Sequence, residues 1–390
     1  MTHKIIYTEA DDISFLEEEY TVLDVIDFGD EKAVVVDTKA GAFSIKECDH
    51  RVKDVDSDIE FTIDLAPQMD FDDELVTRRE SKKVLEAESG LDGSGIAVAI
   101  VDSGIDTSHP YFDYVDVEKV DFTDSTGVDS VGHGTAVAGE VVSFAPNVDL
   151  LSLRVFGDAG STTMPTLLKA YRWVIDNADR VDVLNMSLGS TQTSESLNRI
   201  HNKVEGAGVK TVVSSGNSGG PSGSPATAEK AWSVGACDQN GEMADFSSYN
   251  PYGATNPEVT AVGKNNKLAK SSNARMGEVL SDDFVRASGT SFASPQAAGL
   301  VASLLSQDAR NPRTRIEETT NGHPSKRSGR GICQYGAAVG VEQSETTTAK
   351  VWKFVPGRDS IFLRDDWFES GEYKAINKGG GEIKLVKHDE

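Results

Sequence analysis

Cysteine is scarce: Cys48, Cys237 and Cys333 are the three in 390 residues, odd in number and widely spaced. That excludes a disulfide framework and any CxxC zinc or redox site, and leaves free thiols in a reducing compartment. Long apolar runs are missing as well. No stretch approaches the roughly 18 apolar residues that span a bilayer. The opening MTHKIIYTEADD has neither a basic start followed by an apolar stretch nor a twin-arginine signal. A soluble, cytoplasmic protein with no membrane partner is the expectation. Positive charge is also in short supply, with 38 Lys and Arg against 63 Asp and Glu and a net charge of -25. Such a surface argues against nucleic acid as a partner, because that binding rests on neutralising phosphates with Lys and Arg. It suits a salt-rich cytoplasm, where screening at about 1 M salt cuts like-charge repulsion to a reach of about 3 Å. The expected source is a halophilic archaeon.

What is present is a folded chain. Apolar residues at 38% and charged residues at 26% set it apart from disordered sequences, and 390 residues allow two or three domains. The clearest organisation lies between residues 94 and 341. Four short, β-branched apolar runs, at 96–104, 148–156, 181–189 and 209–217, read as buried strands. Segments 134–144, 163–178 and 194–208 between them have helical spacing, the last ending in glycine. Alternating strands and helices predict an α/β fold, a parallel sheet sandwiched between helices. In such sheets the active site is built from loops at the carboxyl ends of the strands.

Four residues at strand ends or helix starts draw attention: Asp102 in VDSG, His133 in GHGTAVAG, Asn217 in SSGNSGG and Ser291 in GTSFASPQAAGLVA. Each alone has an ordinary explanation as a cap, turn or solvated residue. Together they supply a nucleophilic hydroxyl, a base, a carboxylate to orient the base, and a donor for an oxyanion.

Here the chain resembles the subtilisin-like serine proteases, over roughly residues 72–341. The segments VDSGIDTSHP, GHGTAVAG and GTSFASP carry Asp, His and Ser in the family's order, and NMSLGS, SSGN and the stretch 224–250 agree with its supporting segments. The resemblance implies a subtilisin-like fold and a serine endopeptidase acting through an acyl-enzyme. It makes Ser291 the nucleophile, His133 the general base and acid, and Asp102 the residue that orients the imidazole. It makes Asn217 the oxyanion-hole side chain. Ser187, Leu188 and Gly189, facing Ser214, Ser215 and Gly216, become the two walls of the substrate cleft, and polypeptides the substrates. Ser288 and Thr290 read as structural. The chain departs from the family at Ala136, where a second His is usual, at the short segment 140–151, which lacks an inserted loop, and at Tyr111, where an acidic calcium ligand often stands. No cofactor is therefore expected, and no calcium at that loop site.

Residues 1–70 alternate apolar and polar residues at 4–9, 31–38 and 57–65, a layout similar to the small α/β propeptide of this family. Read so, they fold and inhibit the catalytic domain, 71–341, before the enzyme removes them; the alternative is a permanent accessory domain. Residues 342–390 hold short β-prone runs at 350–355, 360–365, 372–377 and 382–387, a small β C-terminal extension suited to binding a partner. The basic stretch 308–331 reads as a solvent loop. Two other function classes compete with this one. A nucleotide site fails, because the glycines of GSGIAVAIVDSG precede the strand that a dinucleotide fingerprint follows. A catalytically silent relative that only binds peptides would need the four chemical residues to be idle.

Overall fold

The computed structural model describes residues 2–38, 49–63, 66, 74–125, 128–250, 256–322, 324–340, 373–379 and 382–387. The N-terminal part forms a four-stranded antiparallel sheet in the order β2-β3-β1-β4, from β1 (Thr2–Thr8), β2 (Thr21–Asp27), β3 (Lys32–Thr38) and β4 (Val52–Ser57). The short helix α1 (Ser14–Glu17) packs its Leu16 on one face, with Ile6, Val34 and Val36. The other face carries Ile5, Tyr7 and Ala33, which belong to a core shared with the rest of the chain. The alternation visible in the sequence therefore serves two cores, one private and one shared. A further strand, β5 (Glu60–Thr62), leaves this sheet and pairs elsewhere.

After α2 (Arg78–Val84) comes a seven-stranded sheet whose strands are all parallel. It comprises β6 (Ala97–Asp102), β7 (Val117–Asp121), β8 (Asp149–Arg154), β10 (Val183–Met186), β11 (Lys210–Ser214), β12 (Ser233–Cys237) and β13 (Val259–Val262), in the order β13-β12-β11-β10-β6-β8-β7. β6 is the first of these strands in the chain and sits inside the sheet, so the strand order turns around beside it. That crevice is where open parallel sheets place their ligands.

Successive side chains of β6 feed opposite cores: Val98 and Ile100 pack with α3 (His133–Phe144) and α6 (Thr290–Leu305), Ala99 and Val101 with α4 (Met164–Asp176) and α5 (Glu195–Gly206). This explains the unbroken apolar run, since a strand covered on both faces has no polar side. β9 (Ser161–Thr163), an edge segment ahead of α4, pairs with β5. A three-stranded antiparallel sheet, β14-β16-β15, is formed by β14 (Asn266–Ala269), β15 (Glu278–Val279) and β16 (Phe284–Ala287).

The stretch 308–331 is more than a solvent loop. It contains α7 (Pro312–Glu318), whose Ile316 is buried and whose Arg313 forms hydrogen bonds to both carboxylate oxygens of Glu205, at 2.6 and 2.9 Å. Burying an apolar side chain and pairing an arginine bidentately both work against a freely solvated path. The helix α8 (Tyr335–Val339) follows. At the C-terminus β17 (Tyr373–Gly379) pairs antiparallel with β18 (Glu382–Lys387), where two of the four expected runs lie; the runs at 350–355 and 360–365 fall outside the described residues, as does Cys48. Cys237 and Cys333 are buried free thiols. Among the described residues no helix is long and apolar enough to cross a membrane.

Candidate active site

Asp102 ends β6 and His133 begins α3, and the two side chains meet in the interior. His133 Nδ1 lies 2.8 and 2.9 Å from the two Asp102 carboxylate oxygens, with His133 fully buried and Asp102 almost so. With Nδ1–H donating to the carboxylate, the neutral ring presents a lone pair at Nε2. That atom is buried and has no hydrogen-bond partner. Gly132 precedes the histidine at φ 89°, a left-handed turn that favours glycine and aims the chain into the helix.

Two residues passed over in the sequence hold this pair. Asp129 caps α3 from outside: its carboxylate accepts the N–H groups of Gly132 and Thr135, at 2.8 and 2.9 Å, and the Thr135 hydroxyl at 2.7 Å. Helix starts leave such donors open, and Gly132 has no side chain to meet them. Ser103 stands between the carboxylates, its Oγ 3.2 Å from Asp102 and 2.9 Å from Asp129, while accepting the Gly134 N–H. Burial pushes the Asp129 carboxyl pKa up against the bonds from Thr135, Gly132 and Ser103. The one sequence signal was the position of Asp129, four residues before His133 in DSVGHGT.

Ser291 is the second residue of α6, where backbone N–H groups have no partner within the helix. Its hydroxyl donates to the Ser187 carbonyl at 3.3 Å. The helices α3 and α6 are neighbours, with the His133 and Phe292 rings 5.5 Å apart. Asn217 follows β11 with its side-chain oxygen fixed, accepting from the Thr290 N–H at 2.9 Å and the Thr290 hydroxyl at 3.0 Å. Thr290, read from the sequence as structural, thus sets which way the Asn217 amide faces. Ser187, Leu188 and Gly189 on one side and Ser214, Ser215 and Gly216 on the other line a single pocket with Asn217 and Ser291. The pocket gathers Ser291, Asn217 and the six wall residues, while Asp102 and His133 pair with each other and the Ser291 hydroxyl is bonded to the Ser187 carbonyl and not to His133.

Tyr111, at the position where relatives often carry an acidic ligand, is buried beneath the Arg78 guanidinium, 3.3 Å from its ring centroid. Among the described residues no group of three or more His, Cys, Asp or Glu is arranged to hold a metal.

Residues 93–329 match the model of the subtilase family of peptidases. The chain belongs to the subtilase family. It is 32% identical to subtilisin DY of Bacillus licheniformis over 269 residues, 64% of this chain and 93% of the relative. It is 32% identical to a thermostable alkaline protease of Halalkalibacterium halodurans over 266 residues, covering 64% and 69% of the two chains. With the serine protease AprX of Bacillus subtilis it shares 30% identity over 309 residues, 68% of this chain and 69% of that one. This subtilase is a subtilisin-like serine endopeptidase, a hydrolase of polypeptides, and its α/β sheet flanked by helices is the fold the resemblance implied.

Proposed function

We propose that this subtilase cuts peptide bonds with Ser291 as nucleophile, His133 as base and acid, and Asp102 as the residue that orients the imidazole. The observation that carries the reading is the buried His133 ring, bonded to Asp102 through Nδ1 and unpartnered at Nε2. In the first step Ser291 Oγ bonds to the carbonyl carbon of the substrate while its proton passes to Nε2. Negative charge then develops on the carbonyl oxygen, beside the Asn217 amide and the first-turn N–H of Ser291, at the positive end of α6. His133 returns the proton to the leaving amine, and water releases the acyl group by the same sequence. A fluorophosphonate probe tests this: Ser291 of the processed enzyme is expected to be labelled. A folded protein that takes no label at low or high salt, once an added protease has freed it of its N-terminal region, is the silent, peptide-binding relative instead.

The enzyme's own N-terminal region is its first substrate. β5 pairs antiparallel with β9 at the cleft, with Phe61 opposite Thr162, and Thr62 lines the same pocket as Ser291. The Ile63 N–H donates to the Gly160 carbonyl at 3.1 Å, and the Ala66 N–H to the carbonyl of Ser288, three residues before Ser291, also at 3.1 Å. An extended peptide that adds to a strand edge in this way is held as a protease substrate is held. These bonds support a cut between Ile63 and Ala66, ahead of the boundary near residue 70 read from the sequence.

A halophilic source and a reducing, cytoplasmic setting remain part of this reading, supported by the net charge of -25 and by two buried free thiols. So does the absence of calcium from the usual loop site, supported by the Arg78 guanidinium stacked on Tyr111 there; a calcium ion found beside Tyr111 in a calcium-soaked crystal overturns it. A partner that docks on the C-terminal extension, 342–390, belongs to the same reading.

A further inference from the structure

The contact between the N-terminal domain and the helices beside the cleft is built from charges of one sign on each side. Glu31, fully buried, sits between two cations of α5. The Arg199 Nε donates to its two oxygens at 3.2 and 3.0 Å, and the Lys203 ammonium lies 3.3 Å away. Lys203 also pairs with Asp30, and an Arg199 Nη lies 3.9 Å from Asp54. On α4, Lys169 pairs with Asp24 at 2.5 Å. Every acid in this set comes from the N-terminal domain and every base from the catalytic domain. Arg199 also has its guanidinium 5.4 Å from the Tyr7 ring centroid, with Tyr7 buried. An arginine with an aromatic neighbour and a desolvated carboxylate is the usual centre of a strong contact.

Across the α4–α5 face, where the N-terminal domain already sits, we propose that ionic strength sets how firmly the domain covers the cleft. The inference rests on the reading above that the N-terminal region lies in the cleft as the enzyme's first substrate, and adds what loosens it. Opposite charges that meet across an interface lose attraction as salt screens the separated partners. Phe28 and Phe61, which share a core with Leu167 of α4 and Leu197 of α5, are not screened, so chloride salts loosen the domain without detaching it. A chain with an acidic surface thus carries an inhibitor whose hold weakens in the medium that suits the catalytic domain.

The test uses the full-length Ser291→Ala chain, which needs no catalysis and so reads docking even where the protease mechanism fails. Amide exchange in residues 2–38 is measured between about 0.1 M and about 2 M KCl, avoiding sulfate because it strengthens apolar burial. Exchange is expected to rise by about tenfold with salt in this region and not in β10 or β11. Adding Arg199→Met is expected to raise exchange at low salt and to reduce the salt dependence, which Lys203 and Lys169 still carry in part. Where that chain does not fold, the exposed pair decides: Lys169→Glu loosens the domain, and Asp24→Lys in the same chain restores it. Exchange that is flat or slower in salt, or a charge swap that restores nothing, overturns the proposal.

Discussion

Ser187 and Ser291 exchange hydrogen bonds: the Ser187 hydroxyl donates to the Ser291 carbonyl at 2.8 Å, and the Ser291 hydroxyl donates to the Ser187 carbonyl at 3.3 Å. The first bond exists because of Pro295. In a regular helix the carbonyl of Ser291 would accept the N–H four residues on, and proline has none. The cleft wall supplies the missing donor, so the nucleophile is registered against the wall that binds substrate.

Replacing Ser187 by Ala is therefore expected to do two things. It leaves the buried Ser291 carbonyl without its donor, a loss of about 1 to 3 kcal/mol in stability. It also lets the nucleophile drift, lowering kcat by about tenfold with KM changed less. Urea unfolding and steady-state kinetics check both; an unchanged kcat denies the registering role.

Thr290 acts through Asn217. Thr290→Val keeps the shape and the backbone bond but removes the hydroxyl that fixes the Asn217 oxygen, so kcat is expected to fall by about tenfold while Thr290→Ser retains it. Equal losses in the two variants would make the role one of packing alone.

Mass spectrometry of the purified wild-type chain is expected to find new N-termini between residues 64 and 66, with Ser291→Ala remaining at full length. High effective concentration of a tethered segment makes this the first cut. A fully active wild-type enzyme of unchanged mass returns the N-terminal region to the role of a permanent accessory domain.

One buried and one half-buried group give opposite pH dependences of stability. His201 bonds to the Tyr171 hydroxyl and the Thr211 hydroxyl, both at 2.9 Å, and burial, helped by Arg313, pushes its pKa down to about 3. The unfolded imidazole takes its proton near 6.5, so this stability is present above about 6.5 and is lost as pH falls toward 3. Glu258 is the reverse. Burial raises its pKa to about 7 against hydrogen bonds from Ser233, so its contribution is present below about 4.5 and lost as pH rises through 7. Glu258→Gln is expected to stabilise the protein at about pH 8, by up to roughly 3 kcal/mol, and to change little at about pH 4.5. Thermal melts at the two pH values decide it; stabilisation confined to acid would contradict the sign.

The melting temperature of the processed enzyme is expected to rise between about 0.1 M and about 2 M KCl, as screening shortens the reach of repulsion among its acidic groups. A flat or falling Tm removes the halophilic reading and leaves the protease unaffected.

Much of the fold and the core of the site were legible because their signals are local. β6, β8, β10 and β11 each announce themselves in one apolar run bounded by turn residues, and Asp102, His133, Asn217 and Ser291 sit where those runs end or helices begin. Short-range periodicity needs no knowledge of what lies across the sheet. The residues that hold the chemistry in place were not legible. Ser103 and Asp129 read as ordinary polar residues until the fold brings them within 2.9 Å, and the Ser187–Ser291 exchange spans 104 positions. Glu31 was one acid among many in a sequence whose carboxylates read as a solvated face. Only packing against α5, 168 residues away in the chain, buries it and gives it Arg199. Hydrogen bonds and ion pairs between distant segments have no period and no composition; they exist only once the chain has closed the distance.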